Sequence, residues 1–187
     1  MSIDAEQIVT AAGQRLARVV YSEGEIADRV REMGREITAH YPADEDLLVL
    51  GLLKGSFIFV ADLVRQIDRP LHIDFLVAAS YGAAKVSSGQ LDLLYDPRAT
   101  FRDRHVIVVE DIIDSGNTLR RLVPALQARG PRSLEVCALL HKRLVEMPVA
   151  PRWVGFDAPS DFLVGYGLDY SEDFRHLPFI GSLEERP

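Results

Sequence analysis

Apolar and polar positions along the chain alternate between two periods. Val106, Ile107, Val108 and Val109 form an unbroken β-branched run, the pattern of a strand buried on both faces as in a parallel sheet. Residues 47–53 and 134–140 are strand-like apolar runs. Residues 72–80 form a third such segment, with His72 and Asp74 alternating against Ile73 and Phe75. Between the strands the period lengthens. Ile26, Val30, Met33 and Ile37 recur at helical spacing behind Ser22 and Glu25, which have capping-box spacing, so a helix is expected over 23–40. A second helix is expected from 57 to about 67. A third, carrying Leu119, Leu122, Val123 and Leu126, closes at Gly130-Pro131. Strands alternating with helices predict an α/β fold, a mostly parallel twisted sheet flanked by helices. Residues 161–181 are rich in aromatics and glycines and read as short strands with turns, a small flap. Residues 15–20 could form a short helix or strand.

The strand at 106–109 is expected to stop at Glu110 and Asp111, with a third acid at Asp114. Ser115, Gly116, Asn117 and Thr118 then open a helix. Ligands of open α/β sheets sit at the carboxyl ends of strands. A helix N-terminus there offers unpaired N–H groups and partial positive charge to a phosphate. Acids beside a phosphate cradle suit a ligand with two ends, with hydroxyls, a metal or a developing cation facing the acids. A ribose 5-phosphate fits. The plainer alternative is a strand-to-helix turn capped by Asp114 or Ser115. Lys54-Gly55-Ser56, between a strand and a helix, is a second anion-site candidate. His141-Lys142-Arg143 ends another strand and reads by itself as a solvated basic turn, and His72 lacks a partner at metal spacing.

At 187 residues, with 48% hydrophobic and 26% charged, the chain is expected to be one soluble domain spanning 1–187. Its net charge of −7 disfavours a general nucleic-acid binder. No apolar run reaches the ~20 residues of a membrane helix, and the first residues do not read as a signal peptide. The single cysteine, Cys137, lies in an apolar run and is expected to be a small core residue. A cytoplasmic protein is expected.

The string Val-Glu-Asp-Ile-Ile-Asp-Ser-Gly at 109–116 resembles the phosphoribosyl pyrophosphate motif of the type I phosphoribosyltransferases. Its form is similar to that of the 6-oxopurine branch, the hypoxanthine (guanine) phosphoribosyltransferases. Leu-Lys-Gly at 53–55, Ser-Tyr-Gly at 80–82, Ser-Ser-Gly at 87–89, Lys142 and the string from Asp161 to Gly181 extend the likeness in order, over roughly residues 19–181. The resemblance implies a phosphoribosyltransferase fold with a base-binding hood built mainly from about 150–187, the N-terminal segment being an open further contributor. It implies transfer of a 5-phosphoribosyl group from phosphoribosyl pyrophosphate to N9 of hypoxanthine or guanine, giving IMP or GMP and pyrophosphate, with Mg²⁺.

Carried over by position, Asp114 would be the catalytic acid and base. Lys54, Gly55, Glu110, Asp111, Asp114, Ser115, Gly116, Asn117, Thr118 and Arg175 would bind phosphoribosyl pyrophosphate, a non-proline cis peptide lying before Lys54. Lys142, Phe162 and Leu163 would hold the purine, Ser80 and Tyr81 would belong to a mobile loop, and Glu110, Asp111 and Asp169 would serve the metal. Asn117 stands where a bulkier residue is frequent, and Phe174 lacks the hydroxyl of a common tyrosine. Dimers or tetramers are implied, with no nucleic acid or membrane partner. A xanthine-preferring relative, or a regulator of this fold that senses nucleotides and binds RNA, stays open at this level.

Overall fold

The computed structural model describes residues 15–78, 93–95, 97, 99–143 and 150–184. Two sheets organise them. The larger has six strands in the order β4-β3-β2-β5-β6-β7. These are β2 (Leu47–Leu53), β3 (Leu71–Ala78), β4 (Leu93–Tyr95), β5 (His105–Ile113), β6 (Ser133–His141) and β7 (Trp153–Asp157). All neighbours run parallel except β4, which lies antiparallel on the edge beside β3. Helices α1 (Glu23–His40) and α2 (Phe57–Val64) cover one face, and α3 (Asn117–Gln127) covers the other.

The expected sequence signals act locally. Ser22 caps α1, and its hydroxyl accepts the Glu25 N–H while Glu25 reaches back to the Ser22 N–H, closing the capping box. Ile26, Val30, Met33 and Ile37 are buried against β2 and β5. On the opposite face Leu119, Leu122, Val123 and Leu126 of α3 pack against Val106, Val108 and Val136. Pro124 lies within α3, which remains one helix.

Two boundaries differ from the sequence reading: α2 ends at Val64 and not near residue 67, and β5 runs on past the acids. β5 does not stop at Glu110 and Asp111 but continues to Ile113, because the ladder with β6 continues: Glu110 pairs with Ala138, Ile112 with Leu140 and Ile113 with His141. β7 has no counterpart in the sequence reading. Its five residues include Gly155, where a β-carbon would lie 2.5 Å from the Leu139 carbonyl oxygen, so the strand is short and glycine-marked. Arg29 of α1 fastens it by donating to the carbonyls of Val154 and Gly155 at 2.9 and 3.1 Å.

From β2 the chain crosses through α2 outward to β3, whereas from β5 it crosses through α3 in the other direction to β6. The strand order therefore reverses between β2 and β5, and the crevice beyond their carboxyl ends is the place where such sheets bind ligands.

The smaller sheet has the order β1-β9-β8, joining β1 (Leu16–Tyr21), β9 (Ile180–Leu183) and β8 (Leu163–Val164) in antiparallel pairs. Leu16, Val164, Phe174, Leu177, Phe179 and Leu183 form its own core. Residues 15–20, ambiguous by pattern, thus become a strand, because residues 180–183 offer an edge for them to pair with.

Candidate active site

The loop after β2 faces the end of β5 across the reversal point. The Leu53–Lys54 peptide is cis, as the resemblance implied. Buried Ser56 donates its hydroxyl back to the Leu52 carbonyl at 2.7 Å, and the Phe57 N–H reaches the Lys54 carbonyl at 3.2 Å, closing a tight turn. Gly55 is packed on the acids: a β-carbon there would lie 1.6 Å from Asp111 Oδ2. The smaller sheet presses from above, since a β-carbon on Gly167 would lie 2.1 Å from the Gly55 carbonyl oxygen.

Adjacent strand residues point to opposite sides, and the two acids differ accordingly. Glu110 is buried, with Oε2 lacking any hydrogen-bond partner; burial, then the charge of Asp111, pushes its carboxyl well above the usual range. Burial pushes Asp111 up to about 6. Backbone N–H groups and Arg175 oppose that rise, and Asp169 adds to it. A buried Asp111 carboxylate with the charge of Asp169 acting on it makes a site that favours a bound cation. Among the described residues no three acidic, histidine or cysteine side chains converge tightly enough to hold a metal by themselves.

Beyond β5, Asp114 and Ser115 are exposed and Gly116 takes a left-handed conformation (φ 68°) as the residue before α3. No side chain caps the helix, so the turn capped by Asp114 or Ser115 does not form. Only a long contact, 3.5 Å from the Asn117 N–H to Ser115 Oγ, approaches one. The first-turn N–H groups of α3, from Asn117 and Thr118 onward, have no partner within the helix.

At the end of β6, Lys142 Nζ lies 3.3 Å from Asp114 Oδ2 and 3.4 Å from the carbonyl of Ser160. The lysine side chain is largely enclosed while Asp114 is open. The plain solvated turn read from the sequence is therefore incomplete, because Lys142 is turned inward. Phe162 is the most exposed large apolar side chain described, at 54%, with its ring edge-on to Tyr170 at 5.5 Å; Leu163 beside it is buried in β8. Asp169 receives Arg175 Nη2 at 2.7 Å and the Glu172 N–H at 2.8 Å, and Arg175 also donates to the Gly167 carbonyl.

The fold thus links Lys54, Gly55, Asp111, Asp169 and Arg175 into one group, Lys54 through Glu172, and pairs Asp114 with Lys142. Ser80 and Tyr81 lie outside the described residues. Sequence reasoning passed over two participants: Glu172, which bridges Lys54 and Arg175, and the Ser160 carbonyl. Only Glu172 carried a signal, as an acid three residues before Arg175.

A reversed parallel sheet with acids, a helix start and a basic turn at its crevice defines a protein that handles a phosphorylated ligand. Comparison with known proteins narrows this. The family model for the phosphoribosyl transferase domain matches residues 20–171, and the chain belongs to that family. It is 43% identical over 173 residues to the hypoxanthine-guanine phosphoribosyltransferase of Dictyostelium discoideum, covering 89% of this chain and 95% of the relative. Identity is also 43%, over 169 residues, with the hypoxanthine phosphoribosyltransferase of Escherichia coli K12, covering 88% and 94%. A solved hypoxanthine phosphoribosyltransferase of Staphylococcus aureus superposes with a TM-score of 0.84 at 36% identity, covering 90% of this chain and 92% of that one.

Proposed function

We propose that this chain is a purine-salvage enzyme acting as one domain with the small sheet as its hood. It transfers the 5-phosphoribosyl group of phosphoribosyl pyrophosphate to N9 of hypoxanthine or guanine, yielding IMP or GMP and pyrophosphate. The observation that carries this reading is the Asp114–Lys142 pair, held 3.3 Å apart at the carboxyl ends of β5 and β6. A 6-oxopurine presents N7 and the 6-oxygen on one edge. Lysine offers only donors, so Lys142 suits the oxygen and disfavours an amine. Asp114 suits N7, where it takes the proton as N9 forms its bond to ribose C1 and the bond from C1 to pyrophosphate breaks. Phe162 stacks on the ring, and Leu163 holds the base edge through its backbone.

The remaining residues divide the other substrate. Ser115, Gly116, Asn117, Thr118 and the start of α3 take the 5-phosphate. Glu110 and Asp111 are assigned to the ribose end of the substrate, where negative carboxylate charge favours the oxocarbenium-like transition state. Lys54, Gly55 and Arg175 take the pyrophosphate. Mg²⁺ suits hard carboxylate donors and needs only one or two of them besides phosphate and water. Of Glu110, Asp111 and Asp169, the pair Asp111 and Asp169 would supply the first donors, with pyrophosphate and water completing the shell, and when bound the ion would neutralise charge on the leaving pyrophosphate. No helix among the described residues is long and apolar enough to cross a membrane, and we place the activity in the cytoplasm, in a homodimer or homotetramer. Pyrophosphate release with Mg²⁺ and phosphoribosyl pyrophosphate, run with hypoxanthine, guanine, xanthine, adenine and uracil, tests the reading. Turnover with hypoxanthine or guanine and none with adenine is expected; no turnover with any base would refute it.

A further inference from the structure

The two cations assigned above to pyrophosphate are already bridged by one carboxylate of the chain. Lys54 Nζ lies 3.1 Å from both Glu172 oxygens, and Arg175 Nη2 lies 3.4 Å from Glu172 Oε2. Lys54 comes from the loop after β2 and Arg175 from the segment before β9, so Glu172 ties the large sheet to the small one at this point. Its place is set by a hairpin turn. Tyr170 and Asp173 exchange both backbone hydrogen bonds, and the two residues between them, Ser171 and Glu172, have φ of 53° and 70°. A turn with both central residues left-handed favours asparagine and glycine. Here the second position is a glutamate, where a β-carbon is crowded, and its N–H is fixed to Asp169.

The side chain remains 65% exposed, so its two ion pairs are open to solvent and to a competing anion. A carboxylate spanning a lysine and an arginine supplies the same kind of charge and oxygen acceptors that a phosphate group supplies.

We propose that Glu172 is an internal counter-anion of the pyrophosphate subsite. It holds Lys54 and Arg175 in place in the ligand-free protein, and incoming pyrophosphate displaces it. The inference rests on the assignment of Lys54 and Arg175 to pyrophosphate made above. It makes Glu172 a positioning residue that weakens pyrophosphate affinity and so favours release of that product. Glu172 makes no hydrogen bond or ion pair with Asp114 or Lys142.

Calorimetric titration of inorganic pyrophosphate with Mg²⁺ into the wild type, Glu172→Gln and Glu172→Gly tests this. Glutamine keeps the size without the charge, and glycine fits the left-handed backbone. Both variants are expected to bind pyrophosphate roughly fivefold more tightly, the scale of two exposed ion pairs released from competition. The KM for phosphoribosyl pyrophosphate should fall in parallel, while that for hypoxanthine stays at the wild-type value. Wild-type binding with equal or weaker binding in both variants would overturn the counter-anion role alone. Absence of pyrophosphate binding in all three proteins would overturn the subsite assignment and this proposal with it.

Discussion

Gly55 lies against Asp111 so closely that a β-carbon on it would sit 1.6 Å from the carboxylate Oδ2. The loop after β2 and the end of β5 are therefore fitted to each other through the absence of a side chain. In Gly55→Ala the methyl group would displace the carboxylate, which sits at the end of a short rotatable side chain, more readily than the backbone. A shift of about 1 Å in a positioning group costs on the order of 100-fold in rate. We expect kcat/KM with hypoxanthine to fall by about that factor while the thermal midpoint stays near the wild-type value. A variant with full activity would show that Asp111 is not needed where it stands.

Asp114 and Lys142 touch each other yet should fail differently when removed. Asp114→Asn keeps shape and loses the proton-transfer group, so kcat should drop roughly 10²–10⁴-fold with little change in KM. Lys142→Met removes a charged hydrogen bond worth about 1.5–3 kcal/mol, so the KM for hypoxanthine should rise by about one to two orders of magnitude. Discrimination against adenine should weaken too. Steady-state kinetics on the two variants separate these outcomes, and unchanged kcat in Asp114→Asn would remove its proposed role.

The parallel sheet was legible because its strands announce themselves as apolar runs and its helices as 3.6-residue stripes. Bounds of 23–40 for α1 and 47–53 for β2 follow from Ser22, Glu25 and the Leu47 run alone. The β5 boundary was not legible, since two acids look like a strand's end until the partner strand is known to continue the ladder. Trp153–Asp157 was missed because five residues interrupted by Gly155 carry no clear period. At the site, Asp114 and the glycine loop could be picked out by residue type, whereas Lys142 by itself read as part of a solvated basic turn and came in only with the family resemblance. Their mutual contacts, and the bridge through Glu172, depend on strand order and on a left-handed turn that residue spacing does not disclose.

At the opposite end of β5, His105 hydrogen-bonds Glu45 through Nε2 and Ser133 through Nδ1, and Arg132 reaches Glu45 Oε1 at 2.8 Å. The hydrogen bond from His105, then the charge of Arg132, holds the Glu45 carboxyl below its ordinary value of 4.5. A carboxyl lowered in the folded state adds stability that is full above its unfolded value and lost as pH falls through the folded one. Thermal midpoints of the wild type should therefore decline more steeply than those of Glu45→Gln between about pH 5 and pH 3. The two proteins should converge at the acid end; parallel curves would mean that the cluster adds nothing to folding.

The hood's attachment gives the last test. Tyr166 belongs to the small-sheet segment, and its buried ring sends the hydroxyl to Asp62 of α2 at 2.7 Å, where Arg65 also pairs with Asp62. Burial, then the bond to Asp62 and its negative charge, pushes the phenol above its ordinary value of 10.0. The folded protein thus keeps this proton longer than the unfolded chain does, and stability falls as pH rises past that value. Tyr166→Phe should cost about 1.5–3 kcal/mol at neutral pH, the scale of a hydrogen bond to a charged acceptor. It should also flatten the alkaline limb of the stability curve. Urea midpoints at neutral pH and near pH 10 measure both effects. If the variant matches the wild type at each pH, the small sheet is held by its apolar contacts and not by this bond.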